Sequence, residues 1–474
     1  MTQTKNKWLE LIIVLSAPLL SVIDVFIVNV AIPAIQKGVH ANDAEIQLVI
    51  AAYLLGYASF LITGGRAGDQ YGRKKVFFWG MFAFTVASAL CGLSTNPLQL
   101  NITRFIQGFS ASFMVPQTIA FIQVLFPEAR ERAKAISLFG ITLGSAATIG
   151  QVLGGYLSAS HFVIEGWRLI FFINVPIGVV TLWATHRYVN ETRPNLHNKF
   201  DYWGTGVLTV ALVCLILPLI EGREKGWPLW TLILLVLSFG IFRYFISDQK
   251  QKLARNKNPI VDVRLFKIKD FNIGLLAVLF HFMLHTAYLL LSAVYLQNGL
   301  GLSALDCGLY FILPGILFVV SSVWASKLML RFGKRVLQAG AACMFITFIL
   351  QIQYLVPGAN KGVIIALMGA WGLGNGMVLP SLLTVALKSV PVEHAGGAAG
   401  VYSTFQQTAS ALGVSIIGGI FFYFSHQGWQ VAYKAGIIAI LVCVALVSLM
   451  LYLLPAGSKK TASRESPELQ LAAE

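Results

Sequence analysis

Charge is scarce in this chain. Asp, Glu, Lys and Arg make up 12% of its 474 residues, where a soluble domain carries about 25%. That deficit excludes a string of water-soluble domains, although the length alone would allow several. Five cysteines occur, Cys91, Cys214, Cys307, Cys343 and Cys443, each alone and without a C-x-x-C pair. A zinc knuckle and a disulfide framework are therefore unsupported, and the thiols read as small packing residues. No G-x-x-x-x-G-K-[ST] stretch occurs, which argues against ATP hydrolysis by a P-loop. Gly372-x-Gly374-x-Gly376 superficially suggests a dinucleotide site. It lies inside an apolar run with no strand before it, so it reads as a thinned helix face. Neither a Ser-His-Asp set nor a carboxylate pair stands out, so the chain gives no starting point for an enzyme and implies no cofactor.

What the chain has in quantity is apolar sequence, 57% of it, in runs of about twenty residues that can each cross some 30 Å of hydrocarbon. In lipid such runs must be helices, because every backbone amide needs an internal partner. Spans are expected near 9–33, 46–66, 76–95, 98–122, 133–158, 168–186, 203–221, 229–247, 271–295, 304–325, 335–355, 362–386, 400–424 and 431–454. The first is too long for a cleaved leader and carries Asp24 and Asn29, so it is expected to be a retained helix. With the N-terminus inside, Lys37, Arg168, Arg223, Lys225, Lys361 and Lys434 are the cations that fall outside, and Arg104 falls within a span. The other Lys and Arg share the inner side with both termini. The net charge of +15 therefore reflects membrane orientation and not a nucleic-acid partner. Trp183, Trp203, Trp227 and Trp230 sit near span ends as interface anchors.

A polar connection from about Ser247 to Lys269 separates the first eight spans from the last six. The expected organisation is an all-α membrane protein of 14 helices. A six-helix bundle (1–200) is followed by two extra helices (201–248), a basic linker (249–269), a second six-helix bundle (270–456) and a disordered tail (457–474). An internal repeat supports this division. Between the second and third spans lies Gly64-Gly65-Arg66-Ala67-Gly68-Asp69-Gln70-Tyr71-Gly72-Arg73-Lys74-Lys75, and Ser326 to Arg335 follows the second helix of the last six. Aligning Gly333 with Gly72 sets Lys334 and Arg335 against Arg73 and Lys74, with Leu330 in place of Asp69. Parallel repeats of this kind predict two bundles with a substrate site between them.

Inside the spans, Asp24 is the lone mid-membrane acid. A carboxylate there costs about 2.5–3.5 kcal/mol on insertion scales, so it must face a cavity or a partner. Desolvation favours its neutral form and wetting its ionised form, which suits proton coupling. The alternative is a satisfied acid bonded to Ser21 one turn earlier. Arg104, with Gln107, Gly108 and Ala111 on its helix face, could hold Asp24 as an ion or merely anchor helix packing. Gly140, Gly144, Ala147, Gln151 and Gly154 form a small-residue stripe on the fifth helix, flanked by Gly150 and Gly155. Such a stripe admits a close neighbour, for packing alone or to seal the cavity. His281 and His285, one turn apart, lack a third metal ligand and are better candidates for cavity lining or interface positions. Phe26, Gln107, Gln117, Tyr295, Asn375 and Gln406 join them as candidate lining residues.

The loop residues Gly65, Asp69, Gly72, Arg73 and Lys74 resemble the signature that follows the second helix of major facilitator superfamily transporters. Leu100-x-x-x-Arg104-x-x-Gln107-Gly108 is similar to that superfamily's fourth-helix motif, and Gly150-Gln151-Val152-Leu153-Gly154-Gly155 to its antiporter motif. The stretches Asp24 to Pro33 and Trp167 to Gly178 resemble the first- and sixth-helix signatures of the fourteen-helix drug:proton antiporters, and Tyr295-Leu296-Gln297 with Gly301-Leu302-Ser303 is a weaker match. Two positions depart: Gln151 stands where the antiporter motif usually has Pro, and Phe26 where the first-helix signature usually has Thr.

The resemblance implies export of small amphipathic compounds across a bacterial cytoplasmic membrane in exchange for protons, driven by the proton motive force without a cofactor. An endogenous metabolite, siderophore or lipid precursor is the alternative cargo. It further implies proton coupling by Asp24 and Arg104, an inner charge latch at Asp69 and Arg73, and an antiporter helix at Gly150, Gly154 and Gly155. The expected partners are the small-molecule substrate, protons and membrane lipid; a periplasmic adaptor and an outer-membrane channel are left open.

Overall fold

The computed structural model describes residues 7–160, 164–191, 201–255, 257, 259–390 and 395–454. The expected tail 457–474 lies outside the described residues. Among the described residues the secondary structure is helical throughout. The first group is α1 (Lys7–Gly38), α2 (Asp43–Tyr71), α3 (Arg73–Leu93), α4 (Pro97–Leu125), α5 (Ala129–Ser158), α6 (Gly166–Phe172) and α7 (Asn174–Tyr188). Two further helices follow, α8 (Tyr202–Glu224) and α9 (Leu229–Ala254). The last group is α10 (Lys269–Val294), α11 (Ala304–Tyr310), α12 (Ile312–Phe332), α13 (Arg335–Tyr354), α14 (Lys361–Leu387), α15 (Ala395–Ser425) and α16 (Trp429–Leu453). Helices α6 and α7 meet at Ile173 and run on as one span, as do α11 and α12 at Phe311, so 14 segments among the described residues are long and apolar enough to cross a membrane. Both breaks fall inside runs that read as single spans in the sequence.

Local chemistry sets several helix starts. Asn42 accepts from the Glu45 amide at 2.8 Å while Glu45 returns a bond to the Asn42 amide at 2.9 Å, a reciprocal cap that satisfies two otherwise orphaned donors of α2. Asn96, Ser303 and Asn360 cap α4, α11 and α14 in the same general way.

The two groups repeat one packing plan. In the first, α1 packs on α5, and α2 and α3 on α4; in the second, α10 packs on α15, and α12 and α13 on α14. Small residues set the spacing, since lipid supplies little hydrophobic drive between helices. A Cβ on Gly64 of α2 would lie 2.0 Å from the Ser112 carbonyl of α4. In the second group a Cβ on Gly372 of α14 would lie 2.3 Å from Pro314 O of α12, which gives the glycine run 372–376 its role as a thinned helix face. The loop repeat is structural as well. Gly72 and Gly333 both turn the chain at positive φ, 100° and 57°, where a side chain would be strained. Two residues after Gly72, Lys74 donates to His186 O near the end of α7 at 3.1 Å. Lys334 likewise donates to Tyr452 O at 2.9 Å and to Leu454 O, at the end of α16.

Between the bundles, α1 meets α10, α5 meets α11 and α12, and α2 meets α15. The face away from the Gly72 loop is closed. There Gln297 donates to Val30 O at 2.8 Å, and a Cβ on Gly155 would lie 2.4 Å from Ala304 O. Toward the Gly72 face α5 parts from its neighbour: a Cβ at Gly144 would touch Val319 at 3.4 Å, and one at Gly140 would meet nothing within 4 Å.

Helix α8 leans on α2 and α15 together, with Thr63 and Thr205 sharing a hydrogen bond of 2.8 Å. Helix α9 runs to Ala254, six residues into the segment expected as linker, because that segment is anchored rather than free. Asp201 accepts from Lys252 at 2.6 Å and from Gln249 at 3.0 Å, Gln249 accepts from the Val261 amide at 3.1 Å, and Arg66 donates to Pro259 O at 2.6 Å. Burial opposes the Asp201 charge, yet bonds from Lys252, Gln249 and the Gly204 amide outweigh it and hold the carboxyl below its ordinary value.

Candidate functional site

Asp24 lies midway along α1 and is 0% exposed. Three donors converge on its carboxylate: Arg104 Nη1, Gln107 Nε2 at 2.8 Å, and Asn174 Nδ2 at 3.0 Å. Arg104 and Gln107 come from successive turns of α4, and Asn174 opens α7 just past the break at Ile173. Arg104 is equally buried. It donates through Nε to Val49 O at 2.9 Å and through Nη1 to Gln107 Oε1 at 2.7 Å, and its guanidinium lies 4.5 Å from the centre of the Tyr53 ring. A buried ion pair supported by further hydrogen bonds is the arrangement in which charge is tolerable away from water. Ser21 is not the partner of Asp24; its hydroxyl bonds Tyr53 Oη at 2.7 Å.

Asn174, Ser88 and Tyr53 were not singled out by sequence reasoning. Asn174 reaches Ser88 Oγ at 3.0 Å as well as Asp24, so α1, α3, α4 and α7 meet through one polar knot. The available signal was an amide in an otherwise apolar span, within the Trp167 to Gly178 stretch.

The second bundle supplies a neutral counterpart. His281 Nε2 lies 3.1 Å from Asn375 Oδ1, and Asn375 Nδ2 lies 3.3 Å from His285 Nδ1. His285 stacks on Trp371 with ring centres 5.8 Å apart and meets the edge of Phe26 from α1 at 6.3 Å. Phe26, His281, His285 and Asn375 therefore converge where α1 faces α10 and α14. Among the described residues no group of three or more His, Cys, Asp and Glu could hold a metal ion.

Two candidate lining residues take other places. Tyr295 is buried inside the second bundle, stacked on Tyr433 at 4.2 Å and donating to Leu355 O at 2.9 Å, which makes it a packing residue. Gln117 donates to Gly64 O at 2.8 Å and braces α4 against α2 beside Gly68. Gln406 is half-buried on α15.

At the Gly72 face, Arg73 donates to Asp69 at 3.0 Å and to Ala120 O at 2.8 Å. Glu191 accepts from the Lys74 and Lys75 amides at 3.0 and 3.1 Å, capping α3. These partners all belong to the first bundle. A Cβ added at Gly65 would meet Pro116 at an ordinary 3.7 Å. The stripe on α5 divides between neighbours: Gly150 and Gly154 lie against Ile23 and Ile27 of α1, and Gly155 against α11. Gln151, in that stripe, is 3% exposed and neither end of its amide has a partner. Asn29 is in the same condition on α1.

Known proteins agree with this architecture. The sequence profile of the Major Facilitator Superfamily matches residues 14–414. A "probable actinorhodin transporter" of Streptomyces coelicolor is 31% identical over 88% of this chain and 73% of its own length. Multidrug resistance protein Stp of Mycobacterium tuberculosis is 30% identical over 84% and 73%. Among solved structures, a D-xylose-proton symporter superposes with a TM-score of 0.67 over 95% of this chain and 98% of its own, at 14% identity, a likeness of fold.

Proposed function

The chain belongs to the Major Facilitator Superfamily, and from that premise we propose that it is a secondary active exporter that exchanges small amphipathic compounds for protons by alternating access. The observation that carries the proton side is the Asp24–Arg104 pair, buried at mid-depth with Gln107 and Asn174 completing its bonds. Protonating Asp24 removes the negative charge that holds Arg104, and with it the main reason for α1, α4 and α7 to stay locked together. Exchange follows when substrate entering the cavity from the inside displaces the proton, and the emptied carrier returns in its protonated form. The relatives named for actinorhodin transport and multidrug resistance support an exported cargo.

The orientation that fits is the basic Gly72 face toward the cytoplasm, with both termini, in a bacterial inner membrane. The described state is then closed outside, at Gln297 and Gly155, and parted inside along α5. Purified protein in liposomes, offered a panel of amphipathic dyes with and without an imposed pH gradient, tests the reading. Gradient-dependent movement of at least one dye, with proton flow in the opposite direction, is expected. Movement indifferent to the gradient for every dye would overturn it.

A further inference from the structure

The register that carries Gly72 onto Gly333 also carries Asp24 onto His285. The two sit at matching depths on α1 and α10, the first helix of each bundle, and Phe26, two residues beyond Asp24, touches His285 across the gap. The second bundle thus presents an imidazole at the place where the first presents its acid. The hydrogen bonds around it have a direction. With the Asn375 oxygen toward His281 and its nitrogen toward His285, His281 donates through Nε2, Asn375 relays, and His285 Nδ1 accepts. Neutral His285 then carries its proton on Nε2. Nε2 has no hydrogen-bond partner and, unlike His281 Nδ1, is not among the buried unpaired atoms of the described residues. The residue is half-buried where its neighbours His281 and Asn375 are closed off.

Charge decides what this donor can recognise. The one mid-membrane acid is already neutralised by Arg104. The helices from α10 to α16 carry acids only at Asp270 and Asp306, each in a first turn and bonded to a serine. Among the described residues of these helices a cation would find no free carboxylate, while the His285 imidazole sits between the Phe26 ring and the buried Trp371 ring.

We propose that His285, oriented by Asn375 and His281, is the substrate-recognising donor of the second bundle. The cargo it selects is a planar aromatic compound bearing a carbonyl or ionised phenol acceptor, neutral or anionic rather than permanently cationic. This rests on the export reading and names the substrate class for that cavity. A tenfold change in Kd is about 1.4 kcal/mol, within the range of one net hydrogen bond.

The test is equilibrium dialysis of the full chain in lipid nanodiscs against two planar probes, 1,8-dihydroxyanthraquinone and ethidium, corrected for empty nanodiscs. The quinone should bind saturably and at least tenfold more tightly than ethidium. His285→Leu should weaken the quinone about tenfold, and His285→Gln, which keeps a donor, should stay within threefold of the native protein. Ethidium binding as tightly as the quinone to the native protein would sink the proposal, and that comparison needs no variant to fold. So would undiminished quinone binding by a monodisperse His285→Leu. The binding assay uses no gradient, so gradient-driven ethidium export by His285→Leu would refute this inference and leave proton-coupled export standing.

Discussion

Replacing each member of the Asp24–Arg104 pair should have unequal consequences, and the inequality follows from which partner can shed its charge. In Asp24→Asn, Arg104 keeps Gln107 Oε1, Val49 O and the Tyr53 ring but loses its one anionic partner. Arginine cannot deprotonate in a protein, so a guanidinium with 0% exposure is left charged without compensation. Breaking a buried pair in this way costs about 3–5 kcal/mol. In Arg104→Gln the carboxylate keeps Gln107 and Asn174 as donors and can escape the penalty by taking a proton. Its loss should therefore be smaller. The double variant contains no buried charge at the site and should recover most of the stability, giving a coupling of about 2 kcal/mol or more. Denaturant unfolding of all four proteins in mixed micelles at pH 7.5 and pH 5.5 measures it. A coupling below about 0.5 kcal/mol, or Arg104→Gln proving the more damaging change at both pH values, would refute the reasoning.

Other positions give sharper or simpler outcomes. Gly64→Val should disrupt the α2–α4 contact, because a Cβ alone falls 2.0 Å from Ser112 O; a loss of about 1–3 kcal/mol should appear in the same unfolding assay. Gln297→Leu removes the bond to Val30 O, worth about 0.5–1.5 kcal/mol, and should raise the population opened on that face, read as faster thiol labelling of a cysteine placed at Val30. Glu191→Ala should fray the start of α3 by removing the acceptor of the Lys74 and Lys75 amides, a cap loss of about 1 kcal/mol, visible as faster amide exchange there. Asp201 has a lowered folded-state value, so its stabilisation is complete above the ordinary carboxylate range and is lost as pH falls through the lowered value. Below about pH 4 the native protein should lose the advantage that it holds at neutral pH over Asp201→Asn.

The spans were legible in the sequence because lipid leaves apolar runs no alternative to helix, and the bundle repeat was legible in Gly72 and Gly333 because both need positive φ. The interruptions at Ile173 and Phe311 were not, since nothing in hydropathy marks them. Asp24 and Arg104 stood out as isolated charges, but their contact joins residues eighty positions apart, and no helical periodicity reports on that. The same limit hid Asn174, which looked like one polar residue in an apolar run, and the link that the candidate Asn375 makes between two histidines of another helix. Tyr295 shows the opposite error. An amphipathic ring near a helix end fits a cavity wall and an interior stack equally well until its neighbours, Tyr433 and Leu355, are known. The loop at Gly64 to Lys75 identified the chassis; Arg73 and Lys74 bond within the first bundle, while Arg66 reaches the linker at Pro259 O.

Proton coupling through Asp24 is the claim on which the mechanism stands. Its most direct test is dye transport by Asp24→Asn in sealed vesicles under an imposed pH gradient, with expression and size-exclusion profile matched to the native protein. Loss of gradient-driven transport with the folded protein still present is the predicted result. Full proton-driven transport by Asp24→Asn would contradict the account.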